Sequence, residues 1–193
     1  MNKTRLEAFS DGVLAIIITI MVLEIKMPHG TSWDAMKSIL PSLGSYLLSF
    51  LVIGIYWGNH HHLLHSLHKV SGKIIWANLD LLFWLSLLPF ATKWMADNDF
   101  DSASVAIYGG LLVISGLAFS ILSNIIAKNQ KSDAELTKAL QKSKMKANIS
   151  TALYIFSIPL AFVHPAISCT LFAVVALMWI IPNRDLERLL AES

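Results

Sequence analysis

The sequence is poor in cysteine and in charge. Cys169 is the only cysteine among 193 residues, and 15% of the residues are charged. A single cysteine excludes an internal disulfide framework and a metal site built from cysteines. Since 55% of the residues are hydrophobic and the mean hydropathy is +0.59, the composition also excludes an ordinary soluble domain.

What the chain has instead is apolar sequence of membrane-spanning length. Six segments of about 18–25 residues can each cross a hydrocarbon core of about 30 Å. They are predicted at 6–26, 39–66, 74–95, 103–127, 147–163 and 165–182. We therefore expect an all-α membrane protein with a single six-helix domain over residues 1–182 and a short cytoplasmic tail over 183–193. No soluble catalytic or nucleotide-binding domain fits in the remainder.

The basic residues predict the orientation. With six spans, twelve of the fifteen Lys and Arg residues lie on the side that holds both termini, and three lie on the other side. By the positive-inside rule both termini are predicted to be cytoplasmic. The net charge of +2 then reflects topology, and a nucleic-acid partner is not expected. Because residues 1–8 are too polar for a signal peptide, the first helix is expected to be retained.

Two prolines are expected to bend the helices that contain them. Pro89 and Pro159 fall inside predicted spans, where a missing N–H and a bulky ring disturb the helix. Pro41 and Pro165 lie where the first turn of a helix tolerates proline. The stretch from Lys128 to Lys146 is polar and predicts helix extensions joined by a loop.

The first span combines a carboxylate with an apolar β-branched run. Asp11 is followed by residues 12–23, in which Thr19 is the only hydroxyl. At 100° per residue, Arg5, Gly12, Ile16, Thr19 with Ile20, and Leu23 share one face, whereas Ser10 and Asp11 point largely away from it. If the Ile16 face lines something, Ser10 and Asp11 face the subunit's own helices.

Depth in the membrane suggests partners for Asp11. A carboxylate at membrane depth is costly unless it is paired. The second and third spans carry polar residues at a similar distance from the cytoplasmic side, and these predict one polar layer with Asp11 bonded to a His, a Trp N–H or an Asn. The proposed members are Trp57, His60, His61, His62, Asn78 and Asp80. A structural latch is favoured over a proton relay.

The histidine run also permits a metal-site interpretation. His61 and His65 have i,i+4 spacing, which suits a metal on a helix. The only histidines outside this run, His29 and His164, lie toward the opposite side of the membrane. We therefore expect no metal site and no cofactor, and a His-dependent membrane enzyme is the less favoured alternative. A small secondary transporter or proton-coupled carrier is another, although the midplane offers little polar material besides Thr19 and Ser86.

The first helix resembles that of single-repeat bacterial members of the endosomal/lysosomal transmembrane potassium channel family. The resemblance rests on the R-x-x-x-F-S-D pattern formed by Arg5, Phe9, Ser10 and Asp11, followed by Gly-Val-x-Ala-Ile-x-x-Thr and Val-Leu-Glu-Ile. It extends to Tyr-Trp…His-His in the second span and to Asn78…Leu-Ser-Leu-Leu-Pro-Phe in the third.

This resemblance implies a homotetramer in a bacterial plasma membrane whose first helices surround one pore. It implies passive, modestly K⁺-selective, leak-type conduction through rings of hydrophobic side chains, with no enzymatic activity. By position, Ile16 is the expected bottleneck, Thr19 and Leu23 follow it outward, and Ile20 shares the lining. Apolar rings of this kind close by dewetting. K⁺ is then the permeant ion, and the partners are three further copies of the chain and the lipid bilayer.

Overall fold

The computed structural model is all-helical in the part of the chain that it describes, residues 2–67, 69–129 and 134–180. Side chains are described in these ranges except at residues 129 and 134–143. The helices are α1 (Lys3–Leu23), α2 (Trp33–Lys37), α3 (Leu40–His65), α4 (Gly72–Ser86), α5 (Leu88–Asp97), α6 (Ser102–Asn129), α7 (Ala134–Ala161) and α8 (Pro165–Ile180).

Most of the predicted spans match these helices within a few residues. Four helical stretches are long and apolar enough to cross a membrane: Lys3–Leu23, Trp33–His65, Gly72–Asp97 and Ser102–Lys128. The fifth predicted span is the apolar second half of α7, and the sixth is α8, an apolar helix of 16 residues that rises about 24 Å. The predicted tail at 183–193 lies outside the described residues.

The third span is two helices because of Pro89. Leu87 separates α4 from α5, and Pro89 occupies the first turn of α5, where its missing N–H costs least. Pro159 lies inside α7, which continues to Ala161. The disturbance predicted at Pro89 is therefore present as an interruption of the helix at Leu87, and the bend predicted at Pro159 stays a prediction.

The first helix packs against α3, α4 and α5. Its N-terminus is capped by Asn2, whose side chain accepts from the N–H of Arg5. At its N-terminal end, which is the inner end in the predicted orientation, the Lys3 ammonium donates to the carbonyl of His65. At the C-terminal end, the outer end in that orientation, the Lys93 ammonium lies 3.3 Å from the Glu24 carboxylate and 3.4 Å from that of Asp97. Contacts with α3 and α5 therefore hold α1 at both ends.

Candidate functional site: the two faces of the first helix

One face of α1 is uncovered in the protomer. Ile16 is 59% exposed and Leu23 is 81% exposed, and Arg5, Gly12, Thr19 and Ile20 on the same face are exposed as well. These positions follow the i, i+3, i+4 spacing of a single helical stripe. The protomer therefore presents a mostly apolar stripe that none of its own described helices covers.

The hydroxyl on this stripe is oriented by the helix itself. Thr19 Oγ1 donates to the carbonyl of Ile16 at 2.9 Å. Because that bond uses the hydroxyl hydrogen, the oxygen keeps lone pairs that point away from the backbone, as a cation ligand requires.

The opposite face of α1 is buried and carries a polar cluster. Ser10 is fully buried, as is Asn78 of α4, and His60 of α3 is almost so. The Asn78 amide donates to Ser10 Oγ at 3.0 Å, and its carbonyl oxygen is 2.6 Å from His60 Nε2. With Asn78 accepting from it, His60 Nε2 carries the proton. Ser10 Oγ donates in turn to the carbonyl of Leu6. These three side chains, which we call the Ser10 cluster, join α1, α3 and α4.

Asp11 is bonded at the edge of this buried face. Its Oδ1 accepts from the indole N–H of Trp57 at 2.9 Å. One turn earlier, Glu7 Oε1 is buried and has no hydrogen-bond partner among the described residues. Of these two carboxylates on one flank of α1, Asp11 thus has a hydrogen-bond donor at Oδ1, whereas Glu7 has none at Oε1 among the described residues.

Three residues expected in the polar layer are placed elsewhere. His61 is exposed; its ring stacks on that of His65 and lies tilted against that of Trp57. His62 is half-buried beside the ring of His61. Asp80 is exposed and accepts from Trp84 Nε1 at 3.1 Å within its own helix. The expectation rested on depth alone, whereas consecutive helical residues point 100° apart, so only one of three adjacent histidines can face Asn78.

The other two motif residues lie on the uncovered side. The side chain of Arg5 is exposed, and Phe9 is half-exposed. Neither residue joins the Ser10 cluster, because both lie on the side of α1 that faces away from α3 and α4. Within the described residues, no group of three or more His, Cys, Asp or Glu side chains is placed to hold a metal ion.

Two polar features near the outer half of α1 were not predicted. Ser49 Oγ lies 2.7 Å from Thr92 Oγ1 and 2.9 Å from the hydroxyl of Tyr108, which joins α3, α5 and α6. Lys93 also donates to the carbonyl of Glu24 and so caps the outer end of α1. The three hydroxyl residues lie in different spans and form no local sequence pattern that could have predicted their contacts. The contact of Lys93 did leave a signal in the sequence, namely a lysine near the end of an apolar span.

A groove of about 430 Å³ runs beside the uncovered stripe. Ile16 and Ile20 form one wall, and Ser86 and Phe90, on either side of the α4–α5 break, form the other. The exposed surface of α1 is thus continuous with an exposed surface of α4 and α5.

The chain is similar to known proteins in both sequence and structure. A family model described as "Endosomal/lysosomal potassium channel TMEM175" matches residues 5–89, which hold α1, the Ser10 cluster and Pro89. The chain is 49% identical over 193 residues to a protein named as a potassium channel in Chryseobacterium sp. (strain P1-3), with 100% of both chains covered. It is 31% identical over 193 residues to one so named in Streptomyces collinus, covering 93% of this chain and 92% of that protein.

A solved structure has the same fold. It is the crystal structure of a lysosomal potassium-selective channel TMEM175 homolog from Chamaesiphon minutus, with a TM-score of 0.81 and 27% identity. The match covers 94% of this chain and 97% of that chain, so the likeness extends over the whole six-span bundle. The chain belongs to the family of the endosomal/lysosomal potassium channel TMEM175.

Proposed function

We propose that this protein is a potassium channel in which four copies surround one pore lined by the uncovered face of α1. The observation that carries the proposal is that face itself, an apolar stripe interrupted only by Thr19 and Arg5, on a helix held by its own subunit from behind. The relatives named as potassium channels and the potassium-selective homolog support K⁺ as the permeant ion. Because the family is one of channels, the chain is not an enzyme.

Conduction follows from the order of side chains along the stripe. Ile16 forms the narrowest ring, and Thr19 offers four hydroxyl oxygens one turn further out to an ion that has lost part of its water. Leu23 forms a second apolar ring near the outer end, and Ile20 borders the lining on the side of the groove. Apolar rings exclude water when narrow and admit it when slightly wider, so a small displacement of α1 opens or closes the path.

A cyclic assembly is part of the proposal. A single copy exposes Ile16 and Leu23 without enclosing any space, whereas a ring of copies buries the stripes around a common axis. We assign the assembly to a bacterial plasma membrane with both termini in the cytoplasm, supported by the twelve-to-three division of basic residues. No metal, cofactor or nucleic acid is assigned a role.

Potassium flux into liposomes tests the pore assignment. We expect Ile16→Ala and Ile16→Asn to raise K⁺ flux and to change the ratio of K⁺ to Na⁺ flux, because each widens or wets the narrowest ring. The matched control is Leu177→Ala, which shortens a similarly exposed apolar residue on α8 and should leave flux unchanged. Unchanged flux and selectivity in both Ile16 variants would remove this residue from the ion path.

The nature of transport is tested with the same vesicles. Passive conduction predicts flux that follows the K⁺ gradient without saturating and carries a current. Saturable uptake coupled to protons would instead favour the carrier that the sequence left open.

A further inference from the structure

Asp80 is an exposed carboxylate within an apolar span. It lies eight residues after the first residue of α4, about 12 Å along the helix axis. Its exposed neighbours on the same face are Trp76, Phe83 and Phe90. Among the described residues its hydrogen-bond partner is the indole N–H of Trp84, which leaves most of its acceptor capacity unused.

Lipid is a poor environment for this side chain. A carboxylate in hydrocarbon costs several kcal/mol, and the short side chain of Asp cannot reach the headgroups as Lys or Arg can. Charged residues in spans therefore face the interior of a bundle or an aqueous cavity. Asp80 does not face the interior of the described bundle, and a neighbouring copy of the chain is the cover that the proposed ring supplies.

The protomer offers a matching surface on the other flank of α1. The residues of α3 exposed on this side recur at i, i+3 and i+4: they are Leu40, Leu43, Leu47, Phe50, Trp57, His61 and His65. We call them the α3 face. Trp57 of this face is bonded to Asp11, which fixes the α3 face beside one flank of α1. Ser86 and Phe90 fix the α4–α5 face, which also holds Trp76, Asp80 and Phe83, beside the other flank.

A ring with α1 at its centre brings these two faces together. In a cyclic ring of four copies the contact between neighbours is heterologous, so one flank of each copy meets the opposite flank of the next. The α3 face of one copy then lies against the α4–α5 face of its neighbour. This step rests on the proposed channel assembly.

Depth selects the partner of Asp80. The bond between His60 and Asn78 places these two residues at one level. His61 is one residue further toward the cytoplasm and Asp80 is two residues further outward, a difference of about 4.5 Å along the axis. His61 is an exposed residue of the α3 face that carries ring N–H and N sites, whereas the indole N–H of Trp57 is already used.

We propose that Asp80 of one protomer accepts a hydrogen bond from His61 of the next, at an interface between the α4–α5 face and the α3 face. The pair covers the carboxylate and satisfies an imidazole that, among the described residues, has ring contacts with Trp57, His62 and His65. It also fixes the register of adjacent copies.

Crosslinking tests this contact directly. In a Cys169→Ala background, which removes the sole cysteine, Asp80→Cys is combined with His61→Cys and treated with a short bifunctional thiol reagent. We expect covalent dimers, trimers and tetramers. The matched control combines Asp80→Cys with Leu47→Cys, which lies on the same face about 21 Å from His61 and so about 16 Å from the level of Asp80 along the axis; it should give none.

The outcomes separate this contact from the proposed channel. If the parent conducts K⁺ and is tetrameric, yet the Asp80→Cys with His61→Cys pair gives no covalent oligomer, the contact is wrong and the channel stands. Equal crosslinking by the Leu47 pair would also overturn the contact. A parent that is monomeric and carries no K⁺ flux would overturn both.

A second variant separates pairing from exposure to lipid. If Asp80 pairs with His61, Asp80→Leu leaves the imidazole unpaired, and we expect the ratio of tetramer to monomer in detergent to fall about tenfold. Adding His61→Leu should restore it. If Asp80 faces lipid, Asp80→Leu should instead raise the ratio or leave it unchanged, which would overturn the pairing.

Discussion

The two faces of α1 solve opposite problems with the same backbone. The buried face carries Ser10, whose polar atoms are matched by Asn78 and the carbonyl of Leu6, so the polar group is tolerated because its partners belong to the same chain. The uncovered face carries Ile16 and Leu23, which are largely exposed in the protomer. Buried polarity on this helix thus marks contacts within the chain, and apolar exposure marks the face that we propose lines the pore.

The largest effect is expected from making the uncovered face polar, since this removes the difference between the two faces. Ile16→Asn should change conduction by the largest amount, because a polar ring holds water where an apolar one excludes it. Its thermal stability should stay close to wild type, since Ile16 is 59% exposed in the protomer and has little packing to lose. K⁺ flux and the melting temperature of the purified protein check both halves, and a variant that fails to fold would contradict the assignment of this face.

Removing polarity from the buried face should have the reverse result. Asn78→Leu leaves Ser10 and His60 without a shared partner, and we expect the variant to lose about 1–3 kcal/mol of stability or to assemble poorly. Thermal unfolding followed by size-exclusion chromatography measures the loss. The control is Thr170→Val on α8, where an exposed hydroxyl bonded to the carbonyl of Ala166 is removed; equal losses in both variants would mean that the Ser10 cluster has no special role.

Asp11 lies between the two faces and should behave as a structural residue. Asp11→Ala removes the hydrogen bond that the Trp57 indole donates to a carboxylate, at a cost of about 1–3 kcal/mol, whereas Asp11→Asn keeps an acceptor oxygen and should recover much of the loss. Tetramer yield and melting temperature distinguish the two variants. Normal tetramers with altered conduction in Asp11→Ala would instead assign this residue to gating.

The smallest effect is expected at Glu7, on the same flank. Because Glu7 Oε1 is buried without a partner among the described residues, Glu7→Gln removes charge without breaking a bond to that atom. Stability should rise or change by less than about 0.5 kcal/mol. A loss as large as that of Asp11→Ala, in the same unfolding measurement, would show that this carboxylate is held by an interaction as strong as the one at Asp11.

The sequence predicted the helices and the division of α1 better than it predicted the partners. Apolar length located the spans, Pro89 marked where the third span is disturbed, and 3.6-residue periodicity separated Ile16 and Leu23 from Ser10, because these properties are local. Choosing His60 over His61 and His62 required the rotation of α3 relative to α4, which depends on packing along both helices. Asp80 was misplaced for the same reason: residues at the same depth as Asn78 need not share its face.

The hydroxyl contacts of Ser49, Thr92 and Tyr108 lay beyond sequence reasoning for a related cause. Each is a common residue in an apolar span, and their proximity depends on how α3, α5 and α6 meet. Family resemblance could supply the motif of α1, since that motif is contiguous, but not a cluster assembled from distant spans.

Because the third span is interrupted at Leu87, α1 is held by two separate helices of that span. Its inner half is tied to α4 through Ser10 and Asn78, and its outer end is tied to α5 through Glu24 and Lys93. The two ties are fourteen residues apart, about 21 Å along the helix, and the segment from Ile16 to Leu23 lies between them. Because α4 and α5 are separate helices, a tilt of α5 relative to α4 would move the Glu24 end of α1 while Asn78 keeps its hydrogen bond to Ser10. The two helices of the third span thus meet beside the narrowest part of the proposed pore, and this is where such a tilt would act.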